Sequence, residues 1–210
     1  LAPTKQQFKS LIVVSLGVVI GFPLFTALAL QTITASRAIV FIGLLPLSTA
    51  IFAVIRANEK PKLLFWVFSI LGSIIVIVFM LNNRSSHQFN YGDLYMIIAI
   101  LVCGLGYAEG GKLSREIAGW RVICWSLVIM LPIMLFLTRI YLPENLENIS
   151  QSALFGLFYV SVFSMLIGFF FWYKGLAQGG IATVGQLQLL QPIFGLMIAA
   201  VLLHERVSIA

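Results

Sequence analysis

Residues 186–206 read Gln-Leu-Gln-Leu-Leu-Gln-Pro-Ile-Phe-Gly-Leu-Met-Ile-Ala-Ala-Val-Leu-Leu-His-Glu-Arg, QLQLLQPIFGLMIAAVLLHER. The run is long and apolar enough to cross a hydrocarbon core of about 30 Å. Yet Gln186, Gln188, Gln191 and Pro192 interrupt it near its middle. An unsatisfied polar group in hydrocarbon costs several kcal/mol, so one side of this span must face protein or water. Residues 45–60, LPLSTAIFAVIRANEK, carry a related pattern: a proline within the span and Glu-Lys where the later segment has Glu-Arg. The offset is constant, since 192 − 46 = 146 and 205 − 59 = 146. It also pairs Phe25 with Phe171, Leu30 with Leu176, Leu44 with Leu190, Ala53 with Ala199 and Lys60 with Arg206. An internal repeat at this period decides the fold before any single helix is assigned.

The chain has 210 residues, 60% hydrophobic and 10% charged. Soluble domains carry about 25% charge, so this chain cannot cover itself with polar surface. The sequence predicts seven spans, at about residues 10–30, 35–56, 63–81, 93–112, 121–140, 152–173 and 181–204. The apolar runs are continuous, which favours helices over barrel strands of period two. The fold expected is therefore all-α and polytopic. Short connections hold most of the charge, and no signal-peptide pattern opens the chain.

Lysine and arginine are biased to alternate connections. Lys5, Lys9, Arg56, Lys60, Lys62, Lys112, Arg115, Arg121 and Lys174 fall on one side, against Arg37, Arg84, Arg139 and Arg206 on the other. Nine against four places the first set, Lys60 and Arg115 among them, in the cytoplasm, with His87 and Asn145 outside. The net charge of +6 is spent on topology, and no nucleic-acid footprint is visible. The two repeat copies are five helix steps apart, an odd number, so they must be inverted in the membrane. Inverted repeats characterise secondary transporters, whose substrate lies near the midplane between them.

The span with Leu-Pro-Leu or Gln-Pro-Ile at its middle and Asn-Glu-Lys or His-Glu-Arg at its end resembles the EamA-type drug/metabolite transporters. So does the preceding span, closing in Phe-Thr-Ala-Leu-Ala-Leu-Gln or Trp-Tyr-Lys-Gly-Leu-Ala-Gln. The resemblance covers essentially the whole chain. It implies ten helices in two inverted five-helix repeats, of which residues 1–81 would supply the last three helices of the first and 92–210 the first four of the second. Two helices are then expected before Leu1 and one after Ala210. It further implies export or exchange of small metabolites, such as amino acids or amphipathic compounds, by alternating access in a bacterial cytoplasmic (inner) membrane. The partners expected are a small-molecule substrate and the bilayer, with a homodimer compatible, and no cofactor.

At 100° per residue Gln188 and Gln191 lie roughly 60° apart, with Gly195 and Ala199 on the same stripe and Gln186 across the helix. Pro192 cannot donate to the Gln188 carbonyl, and Pro46 leaves the Ile42 carbonyl free in the same way, with Ser48 and Thr49 nearby. We therefore expect Gln188, Gln191, Pro192, Gly195 and Pro46 to line a substrate cavity, against the alternative that they cement helix contacts. Tyr107, Trp125 and Tyr159 lie within spans and could stack on a substrate ring, although such residues more often pack a core.

Glu109 is the carboxylate inside a span and a suspect for proton coupling. An interfacial pair with Lys112 is the favoured reading. Trp172-Tyr173-Lys174 and Trp120-Arg121 read as interfacial belts, and Asp93 reads as the N-cap of its span. Cys103 and Cys124 sit in spans, without a disulfide framework. No phosphate loop, His/Cys metal cluster or Ser-His pair supports an enzyme, and Lys174 lies too near an interface for a retinal protein. A scaffold or receptor would tolerate the amides but has no need of inverted symmetry.

Overall fold

The computed structural model describes residues 2–82, 90–142 and 149–202. Arg84, His87, Asn145, His204, Glu205 and Arg206 lie outside the described residues. Among the described residues five helices are long and apolar enough to cross a membrane: α1 (Lys5–Ala29), α2 (Ala35–Ala57), α4 (Tyr91–Leu113), α5 (Gly119–Tyr141) and α6 (Gln151–Gly179). Between them stands α3 (Leu63–Asn82). The last rod, α7 (residues 181–202), runs through Ile181–Gly185, a tighter 3₁₀ turn at Gln186–Leu189, and Leu190–Leu202. Among the described residues there is no strand, and the architecture is all-α and polytopic.

The central helix is α4, and small residues let its neighbours come close. Gly17 of α1 meets Gly106 of α4, where an added Cβ would stand 3.2 Å from the Gly106 Cα. Ser48 of α2 donates to the Ile100 carbonyl of α4 at 3.2 Å. Small residues and short hydroxyl bonds are the usual means of joining helices in lipid, where burial of apolar surface gives no net drive. One core cluster gathers Leu11, Val14, Val18, Ile123, Tyr173, Leu176 and Ile181, and a second gathers Phe41, Leu45, Met96, Ile100 and Cys103. The outward faces of α3, α5 and α6 are lined by exposed Leu, Ile and Phe, as a lipid-facing surface requires.

Ion pairs fasten both ends of the bundle. At one end Arg37 of α2 donates to both carboxylate oxygens of Asp93, at 2.8 and 2.7 Å. Asp93 is not the N-cap. Asn90 caps α4, and Asp93 at the third helical position returns a bond to the Asn90 N–H, closing a capping box. At the other end Arg56 donates to Glu109 at 2.8 Å, and Gln7 of α1 reaches Glu116 at 3.4 Å. Arg115 pairs with Glu59, whose carboxylate also accepts from the Ile181 and Ala182 N–H groups, both at 2.8 Å. Glu59 therefore occupies the positive N-terminus of α7. These contacts gather at a single end residues that the charge count assigned to one side.

The departures from regular helix recur at the repeat period. In α2 the helix breaks at residues 43–44, two ahead of Pro46, and in α7 it tightens at Gln186–Leu189, just ahead of Pro192. The 146-residue offset carries 43 to 189, the last residue of that turn, and 44 to 190, the first residue of the helix after it. In α1 a wide, π-helical stretch spans Ser15–Gly21, and in α6 one spans Val160–Gly168. Here 15 + 146 = 161 and 21 + 146 = 167, both inside the second stretch. Wide turns of this kind concentrate at functional positions.

Candidate functional site

A cavity of about 240 Å³ lies among these irregular segments. Val18 comes from the π stretch of α1, Ser164 and Met165 from that of α6, and Ile42 and Leu45 flank the break in α2. Phe22, Tyr107, Phe169 and Gln191 complete most of the wall. The Ile42 carbonyl lacks its usual donor because Pro46 has no N–H. The Tyr107 ring is held by Phe169 and Trp172, at centroid distances of 5.9 and 5.5 Å. The site thus offers a mostly apolar, aromatic cavity with an amide, a serine hydroxyl and interrupted backbone, the usual make-up of a small-molecule pocket. Among the described lining residues none bears a formal charge.

The EamA-like transporter family model matches the sequence twice, over residues 1–81 and 90–210. The chain is 58% identical over 206 residues to an uncharacterized transporter of Bacillus subtilis (strain 168), YdeK, covering 98% of this chain and 71% of the relative. The chain belongs to the EamA-like transporter family. An uncharacterized transporter of Haemophilus influenzae is 25% identical over 158 residues, covering 73% of this chain and 51% of the relative. A solved crystal structure superposes with a TM-score of 0.73 at 16% identity, over 99% of this chain and 72% of its own, and so shares the fold. This EamA-family protein is a multi-pass integral membrane protein and a membrane transporter.

Within the transporter, the predicted residues divide. Gln191 and Tyr107 line the cavity. Gln188 does not: it is 3% exposed, and neither amide atom has a hydrogen-bond partner in the protein. Its turn packs on α2, where Gly185 lies against Thr49, itself buried with an unpartnered hydroxyl. The uniform 100° arc fails here because the winding changes at the 3₁₀ turn. Gln186 donates to Ser69 of α3 at 3.4 Å. Gly195 packs on Ile39, a cavity residue, where a Cβ would meet its Cγ2 at 3.0 Å. Pro46 is buried in α2, and Pro192 is placed in the helical backbone of α7.

Trp125 and Tyr159 do not line this cavity. Trp125 packs half-buried against the main core, while Tyr159 is 55% exposed and stacks on Phe163 at the bundle surface. Glu109 is 1% exposed and pairs with Arg56 and the Ser10 hydroxyl (2.6 Å) rather than with Lys112. Its partner lies 53 residues away, beyond any local spacing rule. Tyr173 is not an interfacial belt residue: Gly110 leaves a slot for its ring, which is fully buried. Sequence reasoning missed Phe22, Met165 and Phe169, because an apolar letter in an apolar span carries no signal of its own, and Ser164, because a lone serine in a helix can bond back to its own carbonyls.

Proposed function

We propose that the protein is a secondary transporter that exports or exchanges small metabolites across a bacterial cytoplasmic membrane by alternating access, with substrate held in the Tyr107–Gln191 cavity. The observation that carries this is the position of the cavity, where a proline-broken helix and two π-helical segments converge. Broken helices at such depth are tolerated where they line protein or water, and transporters use them to expose backbone to substrate. The reading that two inverted five-helix repeats build the site is supported by the matching irregularities 146 residues apart. The paired family matches over 1–81 and 90–210 support it as well.

Gln191 supplies a hydrogen-bond partner for substrate, Tyr107 and Phe169 a flat apolar wall, and Ile42 a carbonyl acceptor. Glu109 is a tie between α4 and α2, not the carrier of a coupling proton. Transport by the full-length protein in proteoliposomes tests the assignment, against a panel of amino acids and amphipathic cations with and without a pH gradient. Uptake of at least one solute, weakened in Gln191→Leu and lost in Tyr107→Ala, is expected. Unchanged uptake in both variants would remove the cavity as the substrate site.

A further inference from the structure

A second concavity, a groove of about 580 Å³, lies at the end of the bundle that carries the excess lysine and arginine. The start of α5 and the later turns of α6 form it. They meet at Gly119, where a Cβ would stand 2.9 Å from the Lys174 backbone nitrogen. Its walls are apolar and aromatic: Trp120 is 52% exposed and Phe171 71% exposed, with Phe170 beside them. At its rim are Lys174 and the Gln178 amide. The Arg121 guanidinium lies over the Trp120 ring at 5.7 Å. Among the described residues neither Lys174 nor Arg121 pairs with a carboxylate.

We propose that this groove binds an acidic phospholipid of the leaflet on that side, with an acyl chain on Trp120, Phe170 and Phe171 and the phosphate on Lys174. Charge complementarity selects this occupant. An apolar trough that ends in Lys174, a cation with no carboxylate partner among the described residues, suits a ligand that is apolar along its length and anionic at one end. Basic side chains at that depth attract anionic headgroups. The first turn of α5 adds to the match, having no side-chain cap and no acidic residue. A zwitterionic lipid would fill the trough equally well but would bring a cation to the same rim.

Native mass spectrometry of the purified full-length protein tests this, titrating phosphatidylglycerol and phosphatidylcholine of identical acyl chains. The first bound phosphatidylglycerol should be held about 5-fold more tightly, the effect of one basic side chain at a membrane surface. Lys174→Gln should bring the two lipids to parity, and Trp120→Ala should weaken both alike. Equal binding of the two lipids by the native protein would overturn the proposal. So would a preference that survives Lys174→Gln. A protein that is dimeric and holds neither lipid would assign the groove to a second copy.

Discussion

The Arg56–Glu109 pair makes an asymmetric prediction. Its two members are unequally buried: the Glu109 side chain is 2% exposed and that of Arg56 43%. In Glu109→Gln, Arg56 can turn to water, so a charge-assisted bond of about 1.5–3 kcal/mol is lost while the cost of desolvating a carboxylate disappears. The net loss should be about 1 kcal/mol. In Arg56→Gln the carboxylate stays buried with the Ser10 hydroxyl as its remaining hydrogen-bond partner and the Lys112 charge nearby. Removing one partner of a buried pair costs about 3–5 kcal/mol, and the exposure of Arg56 puts this case near 3. For a chain of this size 1 kcal/mol moves the melting midpoint by about 2–4 °C. The expected drops are therefore about 2–4 °C for Glu109→Gln and 6–12 °C for Arg56→Gln. The double variant should be more stable than Arg56→Gln alone, which a double-mutant cycle reads directly. Unfolding can be followed in detergent with a thiol-reactive dye, because Cys103 is fully buried. Equal drops for the two single variants would refute the claim that the carboxylate is the desolvated partner.

If Glu109 is only a tie, Glu109→Gln should still transport in response to a pH gradient in proteoliposomes, and abolition of that response alone would restore it as a coupling group. Gln191→Leu removes a hydrogen bond of about 0.5–1.5 kcal/mol from bound substrate, so apparent affinity should fall roughly 2- to 13-fold in transport kinetics, while Gln186→Leu, facing Ser69, changes it least. Gly17→Ala places a methyl against the Gly106 backbone and the Val102 carbonyl; overpacking of this kind costs about 1–3 kcal/mol, visible as a lower melting midpoint. Single cysteines at positions 60 and 115 should resist an impermeant maleimide in intact cells, and labelling of position 60 from outside would reverse the topology.

The spans were legible because apolar runs in lipid have few alternatives to helix, and their ends differ from expectation for local reasons. Helix α1 begins at Lys5 rather than near residue 10, since Thr4 and Gln7 form a capping box that extends it into the interface. That Thr-x-x-Gln signal was present in the sequence and is easily passed over among lysines. The break before Pro46 follows from proline chemistry. Nothing local announces the π-helical segments. The cavity was legible at Gln191 and Tyr107 and opaque at Ser164 and its apolar members. Gln188 marks the limit of helical-wheel reasoning: a change of winding within four residues moved it from the expected cavity wall into a helix contact.

The clamp at Glu59 bears on how the chain is made. Its N–H partners at Ile181 and Ala182 are 122 and 123 residues downstream, and a ribosome adds about 5–20 residues per second. For roughly 6–25 seconds of synthesis, then, the carboxylate has no helix terminus to receive it, whereas Arg37 meets Asp93 after only 56 residues. During that interval Arg115, 56 residues downstream, is the partner that Glu59 can already reach, and Arg37–Asp93 and Arg56–Glu109 already tie the early helices at both ends. The half-built protein is tied but lacks its last rod, and arrival of α7 latches it at Glu59.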